Sequence, residues 1–288
     1  MTRLPLTVIS GYLGAGKTTL INRLLAEDHG LRLLVLVNDF GAINIDQALI
    51  EQAGDDTIAL TNGCVCCTMG ADLFMALGDA LDRVPRPDHL IIEASGIADP
   101  AAIANAAIAE PDLSYAGIIT LVDGLNGGAL LDDSLIAPQV AQQITAADLV
   151  LLTKTDTPDP AFNARLTALP ARNLTQLSDD SLAPLLFDLV PLPRGGLRTA
   201  PHPAYASWQH DSDRIVDRRA MGTLLENRPD GLYRLKGFVQ TDDGAYEVHV
   251  VGRYVHARRA QADRTVLVGL GPADRITTDQ IEAWWTGA

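Results

Sequence analysis

Eight residues near the amino end restrict the fold more than any other stretch of the chain: Gly11-Tyr-Leu-Gly-Ala-Gly-Lys17-Thr18. They fit the GxxxxGK[ST] phosphate loop, which needs an apolar strand before it and a helix opening behind it. Both are present, as the run Leu6–Ile9 and a segment of helical spacing from Thr19 to Glu27. The glycines let the backbone N–H groups of Gly11, Gly14, Ala15, Gly16 and the residues that follow, Lys17, Thr18 and Thr19, converge on phosphate oxygens, and the helix terminus adds positive potential. Lys17 sets a compact charge at the β- and γ-phosphates, and the Thr18 hydroxyl is a ligand for Mg²⁺. The chain has only three lysines, Lys17, Lys154 and Lys236, so lysine stands where a point charge rather than a planar fork is required.

Around this loop, apolar β-like runs alternate with amphipathic segments, the pattern of a mostly parallel sheet with helices on both faces. The runs Leu6–Ile9, Arg32–Val37, Thr57–Leu60, His89–Ile92, Gly117–Val122 and Leu149–Leu152 read as strands. Thr19–Glu27, Ala71–Leu81, Pro100–Ala109, Gln139–Ala146 and Phe162–Leu169 read as helices. Pro191–Pro203 holds four prolines and two glycines and marks a boundary between domains at residues 1–193 and 203–288. Beyond it, strands are expected at Tyr205–Gln209, Leu232–Val239, Tyr246–Val251 and Thr265–Gly269, with helices at Arg218–Glu226 and Thr277–Trp285, a smaller α+β module.

Charge separates the halves as well. The net charge is −14, and residues 1–193 hold 9 basic against 24 acidic residues, while the remainder is balanced at 13 and 12. A front half so acidic cannot assemble the basic face that displaces counterions from nucleic acid. No apolar run approaches the roughly 18 residues of a membrane span, so a soluble, cytoplasmic protein with neither membrane nor nucleic acid as partner is expected. The three cysteines, Cys64, Cys66 and Cys67, sit within four residues and make no disulfide framework. Thiolates are soft ligands suited to zinc or copper(I), and three leave the fourth tetrahedral position open; a redox pair is the lesser alternative.

Other motifs fall at strand ends. Glu93-Ala94-Ser95-Gly96 places an acid where phosphate-loop enzymes hold Mg²⁺ or its water, with a glycine N–H within reach of a γ-phosphate. Thr153-Lys154-Thr155-Asp156 stands where GTPases read guanine, Asp156 accepting from N1 and N2 and the Lys154 stem lying along the base. Asn38-Asp39-Phe40-Gly41 is turn-rich, and Asp39 is a candidate to order water near Mg²⁺. The cysteines lie between this segment and Glu93, so metal affinity and nucleotide state can be coupled, and such coupling is reciprocal.

Taken together, GYLGAGKTT, NDFGAINID, NGCVCC, EASGIADP and TKTD resemble the CobW-like family of metallochaperone GTPases, and RLKGFV with TVLVGLG resembles that family's C-terminal domain. The resemblance implies GTP hydrolysis to GDP coupled to delivery of zinc or cobalt to a client metalloprotein or a cofactor-synthesis enzyme. Carried over by position, it implies that Lys17 and Thr18 bind phosphates and Mg²⁺, Glu93 serves the magnesium and water side, Asp156 reads guanine, and Cys64, Cys66 and Cys67 bind the metal. Three departures stand out. Ala42 and Val37 occupy positions where relatives carry acids, Thr153 replaces the usual Asn, and no histidine-rich stretch is present, His202, His210, His249 and His256 being dispersed in the back domain. The primary expectation is a slow GTPase that carries Zn²⁺; a small-molecule kinase and a non-enzymatic zinc or thiol sensor are the alternatives.

Overall fold

The computed structural model describes residues 3–38, 57–60, 71–157, 159–169, 173–189, 205–251 and 254–287. They form two compact units. In the first, seven strands, β1 (Leu4–Ser10), β2 (Leu33–Asn38), β3 (Thr57–Leu60), β4 (His89–Glu93), β5 (Leu113–Asp123), β6 (Leu149–Thr153) and β7 (Leu174–Gln176), pair in the order 3-2-4-1-5-6-7. All pairings are parallel. The helices are α1 (Lys17–Leu25), α2 (Ala71–Asp82), α3 (Pro100–Ala109), α4 (Gly127–Asp132), α5 (Ala137–Ala146), α6 (Pro160–Ala168) and α7 (Ala183–Phe187).

A parallel sheet covered on both faces explains why its strands read as unbroken apolar runs. Ile9, Val35, Val37, Ile91, Ile119, Leu121, Leu149 and Leu151 face one side and pack against Leu20, Ile21 and Leu24 of α1, with Leu182 and Leu186 beside them. The alternate residues Leu6, Val8, Leu36, Leu90, Ile92, Val150 and Leu152 are as deeply buried. The register Ile9↔Glu93 aligns the ends of β1 and β4, and Asp123↔Thr153 aligns those of β5 and β6. Four strands therefore deliver their following residues to one edge of the sheet, at the switch point where doubly wound folds bind ligands.

The structure departs from the sequence expectations at the small elements. β7, α4 and α7 were not foreseen, being three, six and five residues long. α1 starts at Lys17, two residues before the expected Thr19, because Gly16, at φ 100°, turns the loop straight into the helix.

His89, at the start of β4, is 4% exposed, bonds the Thr7 hydroxyl at 2.8 Å and lies 4.7 Å from the Phe187 ring. Burial pushes its pKa down from 6.5 to about 4. With the folded value below the unfolded one, the unfolded chain takes up the proton first, so stability present above pH 6.5 is lost as pH falls toward 4. The expected loss is about 2–3 kcal/mol at 1.36 kcal/mol per pKa unit. Urea titrations at pH 7.5 and 4.5 of the wild type and His89→Gln check this; an equal acid loss in both would assign the effect elsewhere.

The second unit is built from β8 (Tyr205–Ser212), β9 (Ile215–Val216), α8 (Arg218–Glu226), β10 (Arg234–Thr241), β11 (Gly244–Val251), β12 (Tyr254–Ala260), β13 (Thr265–Pro272) and α9 (Thr278–Thr286). Its main path, β12-β11-β10-β13-β8, is antiparallel, and β9 adds to β10 in parallel. Leu235, Val239, Val248, Val250 and Leu267 pack with Met221, Leu225, Ile281 and Trp285. Thr277 and Gln280 form a reciprocal capping box that starts α9. β12 was missed because Val255 to Arg259 are all exposed and include His256, Arg258 and Arg259. It is an edge strand, where charge discourages pairing with other chains and erases apolar alternation. Among the described residues no helix is long and apolar enough to cross a membrane.

Candidate functional site: a phosphate loop at the sheet edge

The loop between β1 and α1 is held open by backbone conformations that suit glycine: φ is 137° at Gly11, 80° at Gly14 and 100° at Gly16. Ala15 N–H closes a turn on the Tyr12 carbonyl at 3.0 Å. No side chain caps α1 and no acid lies in its first turn, so its amino-terminal potential is left for an anion. Lys17 is 8% exposed and its ammonium donates to the Gly11 carbonyl at 2.9 Å, folded over the loop from the helix it begins. Thr19 points away, exposed on α1.

Thr18 Oγ1 donates to Glu93 Oε1 at 2.9 Å across 75 residues of sequence. Glu93 is 2% exposed. A hydroxyl and a carboxylate brought together beside a phosphate loop are hard oxygen donors of the kind Mg²⁺ takes, so the donor set fits that ion. Gly96 packs on the loop itself: a Cβ there would lie 2.8 Å from both N and Cα of Leu13. Gly11 is equally confined, a Cβ falling 2.4 Å from the Leu121 carbonyl oxygen of β5.

Thr153, at the end of β6, is 5% exposed and donates to the carbonyls of Ala15 at 2.9 Å and Val122 at 3.2 Å. The residue in the usual Asn position thus ties the TKTD segment to the phosphate loop. Lys154 has φ 65°, the one positive φ among described non-glycine residues. Its ammonium pairs with Asp123 Oδ2 at 2.8 Å. Asp123 also accepts from the N–H groups of Leu125 and Asn126 and from the Asn126 amide. Burial alone would raise its pKa, but the bonds from Asn126 and Lys154 and the lysine's charge hold it below the usual carboxylate range. Asp156 lies exposed beyond this pair. Sequence reasoning passed over Asp123; its signal was an acid ending a long apolar run and followed by Gly124, the pattern of a side-chain-capped turn.

Lys17, Thr18, Glu93 and Gly96 thus converge on one loop, and Lys154 joins it through Thr153 and Asp123. Asp39, Ala42, Cys64, Cys66, Cys67, His202 and the Pro191–Pro203 segment lie outside the described residues. Among the described residues no group of three His, Cys, Asp or Glu side chains is placed to hold a metal. Val37 is 1% exposed inside the core of the α1 face and offers no ligand. Of the back-domain histidines, His210 stacks on Trp208 at 5.6 Å, His249 bonds Glu247, and His256 is exposed on β12.

Residues 5–177 match the family model described as CobW/HypB/UreG, nucleotide-binding domain, and residues 205–285 match that of the cobalamin synthesis protein cobW C-terminal domain. The zinc chaperone YjiA of Escherichia coli is 33% identical over 268 residues, covering 84% of this chain and 83% of YjiA. The zinc chaperone CobW of a Sinorhizobium species is 38% identical over 183 residues, 54% of this chain and 51% of that protein, so the match spans about half its length. A crystal structure of Zn(II)-bound YjiA GTPase superimposes with a TM-score of 0.49 at 25% identity, over 100% of this chain and 99% of that one. With a nucleotide-binding model matched over more than half its length, and a relative 33% identical aligned over 84% of it, the chain belongs to the CobW/HypB/UreG family of phosphate-loop GTPases.

Proposed function

We propose that this chain hydrolyses GTP to GDP and phosphate and uses the nucleotide state to hold or release a zinc ion bound by Cys64, Cys66 and Cys67. The recipient would be a client metalloprotein or a cofactor-synthesis enzyme. The observation that carries the nucleotide half of this reading is the 2.9 Å bond between Thr18 and Glu93 beside a loop of three positive-φ glycines. The zinc half draws on the cysteine motif and on the names of the relatives, zinc chaperones.

In this reading Lys17 exchanges the Gly11 carbonyl for oxygens of the β- and γ-phosphates, and the loop amides spread the developing charge. Thr18 and Glu93 would hold Mg²⁺, which would supply charge neutralisation at the γ-phosphoryl group. Gly96, packed on Leu13 of the phosphate loop, would offer its backbone N–H to that group, and Asp39 would order the attacking water. The base is read by Asp156 accepting from guanine N1 and N2, while the Lys154 stem lies along the ring with its ammonium anchored on Asp123. Because the Thr153 hydroxyl is spent on Ala15 and Val122, guanine selectivity rests on Asp156.

Zinc titration of the protein loaded with GDP and with a non-hydrolysable GTP analogue tests the proposal. One zinc per chain is expected, with affinities differing by about fivefold or more between the two nucleotides, the lower end of ordinary coupling. The Cys64→Ser, Cys66→Ser, Cys67→Ser variant should lose zinc and still bind GTP. Zinc held with one affinity in both nucleotide states would exclude a nucleotide-controlled carrier and favour a sensor; a preference for cobalt in direct competition would change the cargo.

A further inference from the structure

The segment between Glu93 and α3 is buried from Ala94 to Ala98, so its carbonyls need partners from the protein. One helix supplies them. Gln143 Nε2 of α5 donates to the Gly96 carbonyl at 3.2 Å and to the Ala98 carbonyl at 3.0 Å. Gln139 Nε2 donates to the carbonyl between them, Ile97. Gln142 Nε2 donates to Asp99 Oδ1 at 2.5 Å, and Asp99 in turn caps the Ala101 N–H. The spacing 139, 142, 143 places all three on one helix face. Both acceptors of Gln143 are carbonyl oxygens, which fixes its amide with nitrogen toward the loop.

Two further features set Gln143 apart from a residue serving stability alone. Its own carbonyl accepts from the Thr120 hydroxyl of β5 at 3.0 Å, so the helix carrying the clamp is itself fixed to the sheet. Its side chain is 1% exposed, and Oε1 has no hydrogen-bond partner among the described residues. That buried acceptor is a cost a leucine of similar size would not carry. The clamped loop also has no slack on its other side, where Gly96 abuts Leu13 of the phosphate loop.

We infer that Gln143, assisted by Gln139, is a positioning residue that locks the Gly96–Ala98 peptides against the phosphate loop and thereby sets the preference for a nucleoside triphosphate over a diphosphate. The inference rests on the reading above in which Gly96 meets the γ-phosphate. A diphosphate ends short of Gly96, so its affinity does not depend on the clamp. A triphosphate binding to an unclamped loop must first order it, and its apparent affinity falls by the fraction of loops correctly placed.

The test is calorimetric titration of GDP and of guanosine imidotriphosphate into the full chain with Mg²⁺, for the wild type, Gln143→Leu and Gln139→Leu. Gln143→Leu keeps the bulk and removes two donors; its imidotriphosphate affinity should drop about tenfold, with GDP changed less than about twofold. Gln139→Leu removes one donor, keeps the proposal testable if Gln143→Leu does not fold, and should lower the same ratio by less. Equal weakening of both nucleotides, or no change in either, overturns the role of the clamp while leaving nucleotide binding intact. A wild-type protein that binds neither nucleotide removes the underlying reading, and this inference with it.

Discussion

GTP turnover at saturating nucleotide is expected to fall about 10²–10³-fold in Lys17→Ala, the usual consequence of removing one preorganised charge or donor from a developing oxyanion. Lys17 is the only lysine of the first unit apart from Lys154, and the latter is committed to Asp123. It is held almost out of solvent, where its charge is least screened. Its loss also leaves the Gly11 carbonyl without that donor, worth about 1 kcal/mol of folding stability, so the melting temperature should be recorded beside the rate. Lys17→Arg retains the charge but replaces a compact ammonium by a planar fork in a loop shaped for a point charge, and should not restore turnover. Phosphate release measured for the three proteins decides the matter: wild-type rates in Lys17→Ala would remove Lys17 from the hydrolytic machinery.

What could be read from sequence was what the chain encodes locally. The phosphate loop is legible because three positive-φ positions within six residues admit glycine and little else, and because Lys17 and Thr18 follow at a fixed offset. Glu93 is legible because an apolar run buried on both faces must end, and its end in this fold is the ligand-binding edge. Asp123 was not, since an acid closing a strand is common and acquires meaning only from Lys154, 31 residues later. Gln139, Gln142 and Gln143 lie in a segment that apolar spacing marks only as a helix, yet two of the three are buried on carbonyls more than 40 residues away. Thr153 looked like a lost Asn and is a tether instead. In each case the missing information was a polar partner distant in sequence, which periodicity does not register.

The same contrast between local and distant constraint gives the largest expected loss of stability. In Gly11→Ala the new Cβ would lie 2.4 Å from the Leu121 carbonyl oxygen and 3.1 Å from the Leu121 nitrogen, at φ 137°. Neither atom can retreat, because both belong to the backbone of β5, paired with β1 on one side and β6 on the other. Backbone strain of about 1–3 kcal/mol adds to overpacking of similar size, so about 3–5 kcal/mol should be lost. At about 2–4 °C per kcal/mol this lowers the melting temperature of the first unit by roughly 10 °C. Gly30→Ala is the control: its φ of 70° is also positive, but nothing lies within 4 Å of the added carbon, so it should lose only the conformational part, about 1 kcal/mol. If the two variants melt together, the close approach to β5 carries no energy and positive φ alone explains the glycine. If Gly11→Ala melts far lower and also fails to bind GTP, the loop's path is set by the strand beneath it. The glycine is then required less for phosphate than for letting the loop pass so near the sheet that Thr153, Leu121 and Gly96 can all hold it in place.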